Sequence, residues 1–421
     1  MLSSLSNSLR ERADRLPVGA AIYAVFFLES SVLGQWIPRI PEIKASIGLG
    51  DADLGLALLC MPLGTLIALA LAGRLIERLG LGRSCRVFLP LWALLFLAPG
   101  LVDSFAALCI ALAVAGMAIA LIETAMNTEA ARQEAHHRTR LMSRCHGFWS
   151  LGSMVGAIGG GALAHAGVSV PAHFLVAMPL LAALGWLAAR LLPDEADAPG
   201  PAPAPAPVPA PVPAPAHGEA TGQRQGAMFR WPSRALLPLC VMPLGLMMIE
   251  GMFIDWSAVF VREILSGSAL AVAAIYAAFS CVMAIVRLCG DWLVVRTGDV
   301  RLVRVSALCG ILGTALFALA PGTAIAFVGA ALSGAGVAVI FPLAVSAAAR
   351  RTDRPSADNV AALNMISFSA FLFAPPLIGF LSEAFSLRIA ILALLPGAVL
   401  SLWLSRELAV EPPAAVAGHH A

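Results

Sequence analysis

The sequence has few charged residues: only 12% of its 421 residues are Asp, Glu, Lys or Arg, whereas 59% are hydrophobic. A soluble domain carries about 25% charged residues. This shortage of charge excludes an ordinary soluble domain, and the mean hydropathy of +0.86 predicts a polytopic membrane protein. The net charge of +2 is small, and we predict no nucleic-acid partner.

Motifs for catalysis and metal binding are also missing. The sequence shows no nucleophile triad, phosphate-binding loop or Cys/His metal cluster, and the pair His136-His137 has no further metal ligands in view. We therefore predict a protein that is not an enzyme and needs no cofactor or metal. None of the eight cysteines falls in a predicted outer loop, which argues against a disulfide framework. No cleavable signal is predicted, because the first apolar segment is too long and has no small-residue cleavage pattern.

What the sequence does contain is a series of long apolar runs. Residues 104–122 form one of them, and at ~1.5 Å per residue this run nearly crosses a ~30 Å hydrocarbon layer. The run 305–349 is too long for one helix, and Pro321-Gly322 divides it. Hydropathy thus predicts an all-α membrane protein with twelve transmembrane helices. The predicted spans are roughly 17–37, 54–73, 87–102, 104–128, 145–164, 166–189, 235–261, 264–291, 305–320, 323–349, 359–382 and 389–405.

Arginine and lysine are distributed unevenly over the predicted loops. With a cytoplasmic N-terminus, 22 of the 27 lie on the inner side. Four lie outside, namely Arg39, Lys44, Arg262 and Arg388. This positive-inside bias predicts that both termini face the cytoplasm. We expect a multi-pass membrane protein, surrounded by the lipid bilayer and monomeric.

A Pro/Ala/Val repeat at 199–216 divides the apolar part of the chain into two halves. Such a repeat forms an extended polyproline-type spacer rather than a packed domain. The predicted organisation is a cytoplasmic tail (1–16), a six-helix lobe (17–191), a cytoplasmic linker (192–234), a second six-helix lobe (235–408) and a cytoplasmic tail (409–421).

The two halves resemble each other at a nearly constant offset along the chain. Residues 115–122 parallel 333–340, and Glu29 parallels Glu250 at almost the same separation. Apolar helices also resemble one another by chance, but the constant offset favours a true repeat. Parallel repeats form two pseudo-symmetric lobes with a site near the midplane between them, opened alternately to each side.

A basic motif follows the second predicted span and reads GRLIERLGLGR at 73–83. It resembles the loop signature of the major facilitator superfamily, G-x-L-x-D-R-x-G-R-[RK], with Glu77 for Asp and one extra residue before Arg83. The resemblance implies a transporter in which this loop makes a tight glycine turn and latches the lobes through arginine. The alternative is that these charges serve topology alone. The predicted gating residues are Gly73, Glu77, Arg78, Gly80, Arg83, Arg287 and Asp291, of which the last two can pair one turn apart.

The fourth span ends with Leu-Ile-Glu-Thr-Ala-Met-Asn at 121–127. This segment resembles the L-E-T-A-A-N segment of fucose permease and its relatives, which are proton-coupled sugar symporters. By that resemblance, Glu123 contacts substrate or proton, and Asn127 lies beside it. The second acidic residue of that branch has no counterpart in span one, so the identity of a sugar does not carry over.

Span five carries a competing signature, GSMVGAIGG at 152–160. It resembles the antiporter motif G-x-x-x-G-P-x-x-G-G of drug exporters, with Ala157 in place of proline. Its small residues also suit close helix packing, which is the interpretation that we favour. Proton-driven export of a drug or metabolite therefore stays as the alternative function.

Buried carboxylates are the candidate proton carriers, because a carboxylate in a span is costly and faces a protein or water-filled interior. Glu29 lies ~18 Å and Glu250 ~22 Å from the inner ends of their spans, near the midplane. Asp255 approaches the outer rim, and His146 opens span five, where it either relays a proton or sits at the interface. Trp36, Trp149 and Trp256 could stack on a sugar ring, although tryptophan is common at membrane interfaces.

The sequence therefore predicts a secondary transporter that works by alternating access, and the resemblance implies that it lies in a bacterial inner (plasma) membrane. Its substrate is a small polar solute such as a sugar, taken up together with protons. The predicted substrate- and proton-binding residues are Glu29, Glu123, Asn127, Glu250, Asp255, His146, Trp36 and Trp256.

Overall fold

The computed structural model describes residues 17, 19–139, 141–193 and 231–409. The predicted N-terminal tail, the Pro/Ala/Val repeat with most of the linker, and all but the first residue of the C-terminal tail lie outside these residues. The boundaries predicted for those segments therefore stay predictions.

Twelve long helices dominate the described part of the chain, as predicted, and shorter helical segments lie at Ser257–Val259, Phe260–Ile264 and Gly290–Thr297. Their bounds are α1 Ala20–Ile47, α2 Asp51–Leu79, α3 Leu81–Gly100, α4 Phe105–His137, α5 Met142–His165, α6 Val170–Ala189, α7 Leu237–Asp255, α8 Ala269–Leu288, α9 Asp299–Ala318, α10 Thr323–Arg350, α11 Asp358–Ala384 and α12 Leu387–Leu408. The second and fourth helices extend beyond their predicted spans toward the basic loops, because helix continues past the apolar residues into the interfacial region.

Eleven of these helices are long and apolar enough to cross a membrane. The twelfth, α5, is less apolar because its 24 residues include six glycines. It packs on α1 of its own half and on α8 of the other half, so much of its surface meets protein instead of lipid. The composition of α5 thus follows from its position between two helices.

The internal repeat is present in three dimensions. Gly80 ends α2 with φ 81° and ψ 152°, and its counterpart Gly298 precedes α9 with φ 77° and ψ 155°. Both positions need a backbone conformation that favours glycine. A Cβ on Gly116 would meet the carbonyl oxygen of Met61 at 1.9 Å, and one on its counterpart Gly334 would meet that of Phe279 at 2.1 Å. The same helix crossings therefore recur in both lobes.

The basic motif differs from its prediction in one respect. Gly73 lies inside α2 rather than at a tight turn, and the turn comes only at Gly80. The motif is therefore mostly helical, because nothing after Gly73 breaks the helix before Gly80 does.

The alternating helices give the bundle two ends. We call the end that carries Gly80 and Gly298 the terminal face, since the first and last described residues also lie there; the loops at 48–50 and 265–268 lie at the opposite face. At the terminal face, the Ser233 hydroxyl donates to the Asp353 carboxylate and holds the pKa of Asp353 below its usual range.

The lobes are tied together at the opposite face. Lys44 Nζ lies 2.5 Å from Asp51 and 2.8 Å from Glu263 of the other lobe. The Ser382 hydroxyl donates to the Asp51 side chain, and Glu383 Oε2 accepts the Asp51 N–H at 3.0 Å. We call these five residues the opposite-face cluster. It joins the start of α2 to the end of α11 and closes this side of the molecule.

The terminal side is more open. The fourth helix packs mainly on helices of its own lobe, and its interior-facing Glu123 and Asn127 stay partly exposed. Across from it, Phe368 of α11 is 50% exposed although it packs on Phe341 of α10. A cleft between α4 and the α10–α11 pair therefore leads inward from the terminal face.

Candidate functional site

Glu29 lies in the middle of α1 and is fully buried. Its Oε2 accepts a hydrogen bond from Trp149 Nε1 of α5 at 2.8 Å, and its main-chain oxygen accepts one from Trp92 Nε1 of α3 at 3.2 Å. Its Oε1 has no hydrogen-bond partner among the described residues. A buried carboxylate oxygen without a partner is costly, so this oxygen is suited to hold a proton or a ligand group.

Glu123 of α4 is the second acidic group of the N-terminal lobe. It lies on the side of α4 away from the exposed apolar residues Ile110 and Val114, and therefore faces the interior. The carboxylates of Glu29 and Glu123 are near enough to repel each other electrostatically. The described residues offer the Glu123 carboxylate no hydrogen bond or ion pair.

Asn127 lies one turn beyond Glu123 on the same face, as predicted. Its Nδ2 donates to the main-chain oxygen of Glu123 at 2.8 Å. One amide hydrogen is therefore committed to its own helix, and the half-exposed side chain can offer a ligand its remaining hydrogen and its oxygen.

Arg287 of α8 connects four helices. Its Nη2 lies 3.1 Å from Glu250 Oε1 of α7, and its Nη1 donates to Ser150 Oγ of α5 at 3.0 Å. Its Nε donates to the Ala338 oxygen of α10 at 3.4 Å. We predicted that Arg287 could pair with Asp291, but its three nitrogens point to these other helices instead. Arg287 therefore belongs to the central site rather than to the basic loop.

His146 lies inside the bundle rather than at a membrane interface. Its ring packs edge-on against Phe26 of α1 at a centroid distance of 5.6 Å. The positive charge of Arg287 acts on it electrostatically. His146 thus lies between the α1 side of the site and the Glu250–Arg287 pair.

Asp255 ends the regular part of α7, where the backbone departs from helix at Trp256 (φ −119°, ψ −15°). The described residues give its half-buried side chain no hydrogen bond or ion pair. It lies on the opposite-face side of Glu250, about 8 Å further along the axis at ~1.5 Å per residue.

Of the three tryptophans that could stack on a sugar, two are buried. Trp36 is 2% exposed and packs edge-on against Phe96 within its own lobe, and Trp256 is 0% exposed. Neither ring offers a free face in this conformation, because both are closely packed. Trp149 is half-buried beside Glu29, and is the tryptophan that the site presents.

Two polar residues of α11 escaped the sequence analysis. Asn364 Oδ1 and Ser367 Oγ are buried and have no hydrogen-bond partner among the described residues. They share a helix face with Phe371, whose ring lies against Gly251 of α7, so this face points inward. The available signal was the amide of Asn364 inside an apolar span, since polar residues within a span are typical of functional positions.

The predicted gating residues of the basic motif are largely exposed. Glu77, Arg78 and Arg83 all lie at the surface of the terminal face. Arg86 instead contacts a helix end, because its nitrogens donate to the Ala189 and Leu192 oxygens at the end of α6. In this conformation the inter-lobe ion pair between Lys44 and Glu263 lies at the opposite face. The latch role of the motif stays a prediction. Within the described ranges, no group of three His, Cys, Asp or Glu side chains could hold a metal ion.

Comparison with known proteins agrees with this architecture. The chain is 29% identical to an uncharacterized transporter, y4wD, of Sinorhizobium fredii over 87% of this chain and 92% of the relative. It is 30% identical to an uncharacterized MFS-type transporter of Yersinia pestis over 87% of this chain and 89% of the relative.

Solved structures share the fold. The nucleoside transporter NupG matches with a TM-score of 0.68 at 13% identity, covering 93% of this chain and all of that one. The E. coli fucose:proton symporter FucP matches with a TM-score of 0.59 at 16% identity, covering 93% and 98%. The family model of the Major Facilitator Superfamily matches residues 20–371. The chain is therefore a membrane transport protein that belongs to the Major Facilitator Superfamily.

Proposed function

We propose that the protein couples the movement of protons to the uptake of a small polar organic solute, such as a sugar, at the site between its lobes. The observation that carries this proposal is the pair Glu29 and Glu123. Both carboxylates face the interior, repel each other, and have no cationic partner among the described residues. Two such groups are stabilised when a proton is shared between them.

The cleft supplies polar groups for a hydroxylated solute. Trp149 and Asn127 present an aromatic face and an amide on the N-terminal side. Asn364 and Ser367 present unpartnered polar atoms on the C-terminal side, as far as the described residues go. A few convergent polar groups on a mostly apolar wall are typical of small-molecule sites.

Alternating access is supported by the uneven closure of the two ends. The opposite-face cluster joins the lobes, whereas the cleft beside Glu123 leads to the terminal face. The predicted topology places the terminal face in the cytoplasm. This conformation would then be the one that releases a solute inward, with the outer side closed.

Proton-driven export remains the alternative, and the glycines of α5 are the feature that suggested it. A Cβ on Gly152 would meet the Phe27 oxygen at 2.0 Å, and one on Gly156 would meet the Ser31 oxygen at 2.5 Å. These glycines thus let α1 and α5 pack closely. Because these glycines would pack the helices in the same way in an importer or an exporter, they are no evidence for export. We therefore favour uptake.

Transport by proteoliposomes tests the proposal. We expect an imposed inward proton gradient to drive accumulation of a labelled hexose such as L-fucose. Glu123→Gln should abolish that accumulation while leaving exchange of the hexose down its own gradient. Asp103→Asn, at an exposed loop of the opposite face, is the matched control and should behave like the wild type. Full accumulation by Glu123→Gln would show that Glu123 does not couple proton movement to transport. Gradient-driven extrusion of a hydrophobic dye would favour export.

A further inference from the structure

The middle of the bundle holds an excess of acidic side chains. Glu29, Glu123, Glu250 and Asp255 lie there with one arginine, Arg287. Among the described residues, the other arginines and lysines lie toward the helix ends, as Arg39 and Lys44 do at the opposite face. The central charge is therefore unbalanced toward negative.

The single positive charge is already neutralised. Arg287 pairs with Glu250 at 3.1 Å, and its other two nitrogens donate to Ser150 and Ala338. A carboxylate or phosphate on a solute would need these same nitrogens, and would have to break a buried ion pair to reach them. The site is therefore unsuited to an organic anion.

Three carboxylates remain without a cation. Glu29 has one hydrogen bond, from Trp149, and Glu123 and Asp255 have no polar partner among the described residues. The chain does supply a cation elsewhere on the same helix: Glu129, fully buried and less than two turns from Glu123, binds Arg132 at 2.7 Å. Glu29, Glu123 and Asp255 thus lack the cationic partner that the structural carboxylate of Glu129 has.

Aromatic side chains lie on both lobes of the site. Trp149 donates its Nε1–H to Glu29 Oε2 at 2.8 Å. On the other lobe, Phe341 occupies the position that the repeat pairs with Glu123, and packs at 5.2 Å from the half-exposed Phe368. Ring faces attract cations through their quadrupole, and the attraction strengthens where water is excluded. Carboxylates together with aromatic rings are the combination that recognises an organic ammonium group.

We infer that the transported solute is an organic cation, a small hydroxylated molecule bearing a protonated or quaternary amine, and that Glu123 is its counter-ion. This inference rests on the proposed function, because it names the substrate class of the same site. Glu29 then carries the transported proton, and its unpaired Oε1 accepts that proton or a hydroxyl group of the solute. Neutral and anionic analogues of the same shape bind more weakly, because they leave the carboxylates uncompensated.

Thermal unfolding of the purified full chain in detergent tests the charge requirement with isosteric probes. Choline and 3,3-dimethylbutan-1-ol have the same shape and differ by one positive charge. Glucosamine, glucose and glucuronate, which share the same sugar ring, form a second series. Against NaCl at matched ionic strength, we expect choline or glucosamine to raise the Tm, and the neutral and anionic partners to raise it less or not at all. Glu123→Gln should require an about tenfold higher concentration of the cation for the same shift.

The controls separate this inference from the proposed function. Asp103→Asn should keep the wild-type response to each cation, since its side chain is exposed at the opposite face. Equal shifts by the neutral isosteres, or no shift by either cation, would overturn the inference. If choline or glucosamine stabilises the protein but proteoliposomes show no proton-driven accumulation of that same labelled cation, only the proposed function fails. If a neutral hexose accumulates with the gradient and no cation binds, only the substrate class is wrong.

Discussion

At the scale of single residues, Arg287 has the most consequences for the site. Its side chain is 12% exposed and that of its partner Glu250 is 10% exposed. A nearly buried ion pair adds little net stability, but losing one member leaves an uncompensated charge. Arg287 also binds Ser150 of the other lobe, so the same side chain holds the site together and links the lobes.

Removing the charge of Arg287 should therefore destabilise the protein more than removing both charges of the pair. Arg287→Gln strands the carboxylate of Glu250 and should cost roughly 3–5 kcal/mol. The double variant Arg287→Gln/Glu250→Gln should recover a large part of that loss, because no buried charge is stranded. Thermal unfolding of the three proteins in detergent measures the difference. A double variant that is as unstable as, or less stable than, Arg287→Gln would show that hydrogen bonds other than the ion pair dominate.

At the scale of helices, the position of α5 depends on a row of small residues. It crosses α1 at Gly152, where a Cβ would lie 2.0 Å from the Phe27 oxygen and 2.3 Å from Ser30 Oγ. At Gly159 a Cβ would meet only the flexible amide of Gln35, at 3.2 Å. On the same helix, Gly152 thus lies against the backbone of α1, whereas Gly159 lies only against a side chain.

Gly152→Ala should weaken the α1–α5 contact, whereas Gly159→Ala should be nearly neutral. The first places a methyl group against a main-chain oxygen, and overpacking of this kind costs about 1–3 kcal/mol. The second requires only a side-chain adjustment and gains helix propensity. The measurement is the Tm of both variants beside the wild type. Equal losses in the two would mean that flexibility, rather than the close approach at Gly152, sets the need for glycine.

The helices and the repeat could be predicted because hydropathy, loop charge and the constant offset between the halves are properties of the chain itself. Contacts between side chains could not be predicted in this way. Glu250 and Arg287 lie on different helices, and their meeting depends on how those helices rotate. Asn127 shows the same limit at short range: its face was predictable, but the bond to the Glu123 oxygen was not. Composition also does not distinguish a ring that lines a site from one that is packed in the core, so the roles of Trp36 and Trp256 stay predictions.

At the scale of the whole molecule, the two lobes meet through two helix–helix contacts, α5–α8 and α2–α11. The α5–α8 contact runs along both helices, from Gly161 against Ala273 near the opposite face to Ser143 near the terminal face, whose Oγ donates to the Arg287 oxygen at 2.9 Å. The α2–α11 contact lies nearer the opposite face, where Gly55 meets the Pro375 backbone. Rocking of one lobe against the other can keep the first contact while it opens the second. The polar opposite-face cluster is then the part that has to break.

Neutralising Lys44 should therefore shift the molecule away from closure at the opposite face. Its amine holds Asp51 and Glu263 together across the lobes, and without it two carboxylates would lie close to each other and repel. In Lys44→Gln we expect hydrogen–deuterium exchange to rise at 40–47 and at the end of α11, and to fall in the terminal-face part of α4. Lys44→Arg keeps the charge and should retain the wild-type pattern. Faster exchange at both faces would indicate general loosening, and an unchanged pattern would show that apolar packing of α2 on α11 closes this side without the cluster.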